Sequence, residues 1–291
     1  MSKRKTIFSA LLVMFLWGSL FPMIKIGYKA YNITSTGDIL FFAGIRFTIC
    51  SLIILLYSLI KNRVSFKAEK HKIHLIALSG LFAIILHYSF TYMGLNLTDS
   101  SKTAIIKQVG VCFYVCFSWL FFKDDKLTVK KLAGVLLGFS GIAAINMSSN
   151  GFTWHLGDSL ILLASFCTVF SNVISKKLFN SVDPVTATGI SQLFGGIVLL
   201  VIGVIMEGRI SLKFNISVLI FVYICAASVL GYCIWFVIVK YNSLSKLFII
   251  KFAEPVFASI LAALLLGENI FSIQYLLAFL LIGGGIYISN T

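Results

Sequence analysis

The chain has 291 residues, 59% of them hydrophobic and 12% charged, with a net charge of +14 and a mean hydropathy of +1.00. A soluble domain carries roughly 25% charged residues, so this composition excludes a soluble enzyme or binding domain and indicates a polytopic membrane protein. The basic excess sits in short loops between apolar runs, where it reads as membrane topology and leaves no face broad enough for nucleic acid.

Ten apolar runs, near 7–28, 38–60, 73–95, 101–121, 128–147, 156–176, 185–206, 216–239, 246–266 and 271–289, are each long enough to cross a hydrocarbon core of roughly 30 Å. The first follows MSKRK and continues to Tyr28 without a small-residue cleavage site, so it is expected to be a retained span and not a signal peptide. On it Trp17, Phe21 and Lys25 fall on one face, with Pro22 between them as a candidate hinge. The second span carries Arg46 about eight residues in. The third carries His87, with Tyr88 and Tyr92 one helical turn apart.

The fourth span holds Lys107 and the fifth the run Gly138-Phe139-Ser140-Gly141. That run matches the GxSG pattern of intramembrane serine proteases, for which His87 could be nominated as base. Polar side chains in otherwise apolar spans are candidates for orienting a substrate, and Asn172 and Gln192 rank above the hydroxyls of Ser19 and Thr91. The eighth span presents Tyr232 and Trp235. The ninth, KLFIIKFAEPVFASILAALLLGE (246–268), contains Lys251, Glu254 and Pro255, a second candidate hinge. Charges inside a span are expected to face a bundle interior or an aqueous cavity.

The six cysteines lie within apolar runs without a CxxC or a Cys/His cluster, so no metal site, disulfide framework or cofactor is expected. No Walker A or HExxH motif is present. Lysines and arginines divide sixteen to five between the two sets of loops, with Arg46, Lys107 and Lys251 accounting for the rest of the 24. The bias predicts that both termini are cytoplasmic.

The chain also repeats itself. Moved forward by 144 positions, Ile105-Ile106-Lys107 falls on Ile249-Ile250-Lys251, Asp124 on Glu268, Gly141-Ile142 on Gly285-Ile286, and Tyr88 on Tyr232. An offset of 146 places Arg46 on Gln192 and Arg63 on Arg209. Each half, 1–147 and 148–291, then has five spans, an odd number, so the halves are inverted. Inverted repeats with a site near the midplane are an architecture of secondary transporters.

The segments WGSLFPMIK (17–25), YMGLNLTDSSKTA (92–104), AEPVFASILAALLLGE (253–268) and GGGIYI (283–288) resemble, in order and spacing, the EamA branch of the drug/metabolite transporter superfamily. The resemblance covers essentially the whole chain. It implies ten helices in two inverted five-helix repeats and export or exchange of amino acids and other small metabolites. The first half departs from the pattern: Val109-Gly110-Val111 stands opposite Ala253-Glu254-Pro255.

The expectation is therefore an all-α, ten-helix secondary transporter of the inner membrane and not an enzyme. Its substrate would sit between the halves near Lys107, Lys251, Glu254 and Arg46, with His87, Tyr88, Tyr92, Trp17, Phe21, Asn172, Gln192, Tyr232 and Trp235 as further contacts. Three cations against Glu254 favour amino-acid-like zwitterions or anions. Nucleotide- or phosphate-bearing metabolites are the alternative, with lipid flipping and intramembrane proteolysis as readings outside solute transport. Glu254 is the candidate carrier of a coupling proton, and the bilayer and a small molecule are the expected partners.

Overall fold

The computed structural model describes residues 3–64, 66–95, 97, 100–146, 154–210, 216–266 and 273–290. Among these the chain is all-helical, in ten successive helices. They are α1 (Lys3–Ala30), α2 (Thr36–Ile60), α3 (three consecutive segments, Phe66–Gly80, Leu81–Leu86 and His87–Leu95), α4 (Ser100–Phe121) and α5 (Val129–Asn146). The second half continues with α6 (Leu156–Leu178), α7 (Pro184–Ile205), α8 (Ile216–Tyr241), α9 (two segments, Leu244–Ile250 and Ala253–Leu266) and α10 (Ile273–Asn290). Hydropathy and length qualify seven of these runs as membrane spans, and shorter apolar stretches cover Ile106–Phe121 and Leu276–Asn290. Glu268, which enters the repeat argument, lies outside the described residues.

Local chemistry sets the helix starts. Ser35 caps α2: its side chain accepts from Asp38 N at 3.0 Å while Asp38 accepts from Ser35 N at 2.9 Å, a reciprocal capping box. Asp183 caps α7, with Pro184 in the first turn where its missing N–H costs nothing. Each of these caps also reaches across to the other half. Asp38 accepts from the backbone N–H of Arg209 at 2.8 Å, just past α7, and Asp183 pairs with Arg63, just past α2, at 3.4 Å. The same device thus appears at opposite ends of the α2–α7 pair, as an inverted repeat requires.

Helix pairing follows the same exchange. The helices α2 and α7 pack against one another, as do α5 and α10, and α1 with α8 is matched by α6 with α3. The α2–α7 approach is backbone to backbone. A methyl group added at Gly44 would stand 2.5 Å from the amide nitrogen of Leu200, and one at Gly203 2.5 Å from that of Phe41. Association without a hydrophobic driving force relies on such close small-residue contacts.

The end of the bundle that holds the start of α1 and the end of α10 is closed by a polar cluster. Asp125, between α4 and α5, accepts from Lys131 Nζ at 2.6 Å, Ser243 Oγ at 2.5 Å, the Ser245 amide at 3.1 Å and Tyr114 Oη at 3.2 Å. Lys176, at the end of α6, donates to the carbonyls of Val239 (3.0 Å) and Asn242, and Thr6 of α1 donates to Asn242 Oδ1 at 3.1 Å. The cluster joins the loop after α4 to the loop after α8, and so one half to the other.

Burial pushes the Asp125 carboxyl up, but the hydrogen bonds from Lys131, Ser243 and Ser245 outweigh it and hold the group below its ordinary value of 3.8. A carboxylate depressed by folding stabilises the closed end above pH 3.8, and that contribution is lost only as pH falls below it. Asp125→Asn leaves the buried Lys131 ammonium unpaired and is predicted to cost on the order of 3 kcal/mol. Thermal unfolding of the purified variant between pH 5 and 8 checks this; a melting point equal to wild type would show that the cluster contributes nothing to stability.

Candidate functional site

A cavity of about 700 Å³ lies between the halves, lined by α1, α2, α3, α4, α6, α8 and α9. Its lining includes Lys25, Ile33 and Thr34 near the α1–α2 connection, so it opens on the face opposite the Asp125 cluster. Two irregular helices shape it.

The first irregularity is in α3, where Leu81–Leu86 forms a π-helical turn immediately before His87. The wider turn accommodates an extra residue inside a continuous helix, and such turns recur at functional sites. It leads directly into His87, Tyr88, Thr91 and Tyr92, all on the cavity wall. The His87 Nδ1 lies 3.1 Å from both the Ala164 carbonyl and Thr168 Oγ1, which fixes the ring to α6.

The second irregularity is the break in α9. Its first segment ends at Ile250, a tight turn follows at Lys251 and Phe252, and the second segment starts at Ala253. The Glu254 amide donates to the Lys251 carbonyl at 3.0 Å. Pro255 could not donate to that carbonyl, and it falls in the first turn of the new segment, where a proline is tolerated. The sequence marks Pro255 as a candidate hinge, and the interruption falls in the turn before it, at Lys251 and Phe252, where the proline's missing N–H and its ring act; Pro255 itself stands in the first turn of the second segment. Pro22, the other candidate hinge, is buried inside an uninterrupted α1. Glu254 stands at the positive end of the second segment's dipole.

The cations of this wall are held by rings. Lys251 Nζ lies 5.2 Å from the Trp17 ring, 5.4 Å from Trp235 and 5.7 Å from Phe248, and Lys107 Nζ is 5.3 Å from Phe21. Glu254 acts electrostatically on both lysines. Both lysines line the cavity. Aromatic contacts continue from Trp17 to Tyr232 and Trp235, each at 5.4 Å, and Tyr232 Oη meets Tyr88 Oη at 3.3 Å.

Of the polar residues singled out from sequence, Asn172 lines the cavity but is committed to structure. Its Oδ1 accepts from Trp235 Nε1 at 2.7 Å and its Nδ2 donates to the Thr168 carbonyl at 2.8 Å, so it positions the tryptophan. Gln192 does not belong to the cavity wall: it is buried in α7, 1% exposed, and neither amide atom has a partner. Sequence reasoning missed Tyr28 and Thr168, both on the wall. Tyr28 continues the Trp17, Phe21, Lys25 stripe by one further turn, and Thr168 lies one turn before Asn172, so helical spacing carried both signals.

The GxSG match does not form a catalytic site. Ser140 is exposed on α5, while His87 is fixed to α6 across the cavity. Gly138 instead packs under Phe252 at the α9 break, where an added methyl would come within 2.4 Å of the ring. Among the described residues no group of three metal-ligating side chains occurs.

The comparisons agree with this architecture. The model of the EamA-like transporter family matches residues 4–147 and again 155–291, and the chain belongs to that family. It is 28% identical to the uncharacterized transporter YvbV of Bacillus subtilis, over 97% of this chain and 92% of that one. It is 27% identical to a probable amino-acid metabolite efflux pump of Escherichia coli, over 98% and 95% respectively. A solved structure described as "Crystal structure of protein" superposes with a TM-score of 0.79 at 17% identity, covering 99% of this chain and 97% of that one. Family membership makes the chain a transporter, not an enzyme, and implies a membrane location and a small-molecule substrate.

Because Asn172 holds Trp235, Asn172→Ala should strand a buried indole N–H and lower stability by about 1–3 kcal/mol. Equilibrium or thermal unfolding measures the loss. In a double-mutant cycle with Trp235→Phe, which removes the donor, the two losses should be less than additive.

Proposed function

We propose that this member of the EamA-like transporter family is a secondary transporter that exports or exchanges amino-acid-like zwitterions or anions by alternating access. The observation that carries the reading is the wall built by Lys107, Lys251 and Glu254, where both signs of charge meet aromatic rings inside one cavity open to a single side. An acid group is drawn to the cations of the cavity and an ammonium to Glu254, while Trp17 and Tyr232 offer apolar and cation–π surface between them. The name of the Escherichia coli relative points to the same substrate class.

In this reading the two repeats, 1–147 and 148–291, rock about the cavity. The closed end bearing Asp125 is the cytoplasmic face of the inner membrane, both termini are cytoplasmic, and the cavity is captured open to the outside. The excess of cations over acids on the wall also favours phosphate-bearing metabolites as a second substrate class.

Lys107→Ala should raise the substrate concentration for half-maximal transport at least tenfold in proteoliposomes loaded with amino acids, and leave stability close to wild type. Transport unchanged in both Lys107→Ala and Lys251→Ala would reject the role given to this wall. If Glu254 also carries a coupling proton, Glu254→Gln should flatten the dependence of transport on pH; a profile superimposable on wild type removes proton carriage from Glu254 and leaves it as the ammonium contact.

A further inference from the structure

Arg46 stands on the α2 side of the same cavity, apart from the lysine wall. Its side chain is 1% exposed, yet it lines the cavity. Its Nε donates to Ser228 Oγ at 3.1 Å and its guanidinium lies 4.8 Å from the Phe47 ring. Tyr88, Tyr92, Tyr232 and Cys50 surround it, and among the described residues no carboxylate forms an ion pair with it. Nη2 is buried without a hydrogen-bond partner. So is the hydroxyl of Tyr28, which sits beside Tyr92 without a hydrogen bond of standard geometry, and so is the hydroxyl of Thr91.

A buried cation with neither a counter-charge nor a full set of acceptors is expensive, and an arginine fork is shaped for a planar, two-oxygen anion. Tyrosine and threonine hydroxyls around it add donors to such an anion. The geometry points to Arg46 as the residue that anchors the substrate's carboxylate, with Tyr28 donating to the same group. The lysine and glutamate wall then receives the substrate's other end. This rests on the transport reading above and adds to it an orientation: acid end toward α2, amine end toward Glu254.

The test uses the purified full chain in detergent and thermal-shift titration with L-leucine, L-phenylalanine and L-glutamate. Each is compared with its α-amide, which lacks the α-carboxylate (glutamate's amide keeps the side-chain carboxylate and serves as the control for a displaced acid), and with the deaminated acid, which lacks the amine. The wild type should be stabilised by the acids and far less by the amides. Arg46→Gln should lose tenfold or more in affinity for the acids and become indifferent to amidation, and Arg46→Lys should recover only part. Should Arg46→Gln not fold, Tyr28→Phe keeps the charge and the Ser228 bond, and it should weaken the acids by roughly three- to tenfold.

Acids bound equally by wild type, Arg46→Gln and Tyr28→Phe would make Arg46 a tie between α2 and α8 and overturn the inference while leaving the transport reading intact. A wild type that binds amides as well as acids, or no acid at all, overturns the carboxylate substrate itself.

Discussion

An ionised side chain at membrane depth costs roughly 3 kcal/mol or more unless water or a partner reaches it. In this chain Arg46, Lys107, Lys251 and Glu254 all stand on the wall of one cavity. That constraint organises the rest. The helices that line this cavity tolerate irregular backbone, because their freed polar groups face the cavity and not lipid. The π turn of α3 and the break of α9 are both there. The pairs that do not need water, α2–α7 and α5–α10, close instead by direct backbone contact. At Gly134 an added methyl would meet Ser289 at 2.7 Å, and at Gly44 it would meet the backbone of Leu200.

How much of this was legible follows from what a sequence encodes. Hydropathy reports membrane depth, so ten spans and the deep charges could be read directly. The offset of 144 reported equivalence, and it paired Lys107 with Lys251, which the structure brings to one cavity. Depth and equivalence do not report facing. Gln192 is as deep as Arg46 and aligned with it, yet it points into packed helix. The break in α9 was signalled by Pro255: it falls in the preceding turn, at Lys251, whose carbonyl the proline cannot bond. Nothing local signalled the Asp125 cluster, because its partners, Ser243 and Ser245, are 118 and 120 positions away.

Exchange of the two halves turns the observed contacts into one another, α1 on α8 into α6 on α3 and the Asp38 cap into the Asp183 cap. In the alternating-access reading proposed above, a chain with this relation would have two nearly equivalent packings, one closed by the cluster at the terminus-bearing end and one closed at the far end, with α2 and α7 joined in both. The Asp125–Ser243 contact is made here. Under the same offset its counterparts are Asn269 and Asp99, which lie outside the described residues. In the alternating-access reading, a substrate at the centre sees nearly the same lysine wall in both packings, since Lys107 and Lys251 exchange places.

Arg46 is where this equivalence fails, and the failure has a consequence for direction. A fully symmetric cavity would present a substrate with two indistinguishable orientations. With Arg46 on α2 and only a buried, neutral Gln192 at the matching position of α7, the positive potential is unequal between the halves. An amino-acid-like substrate then has one favoured orientation, and it must keep or reverse it as the halves rock. If the acid end stays on Arg46, the substrate travels with the first repeat while the second moves past it, and Glu254 at the α9 break becomes the contact that changes. The break joins that segment to the buried Leu244–Ile250 through a two-residue turn at Lys251 and Phe252, so in the alternating-access reading this turn is where the Glu254 contact would change.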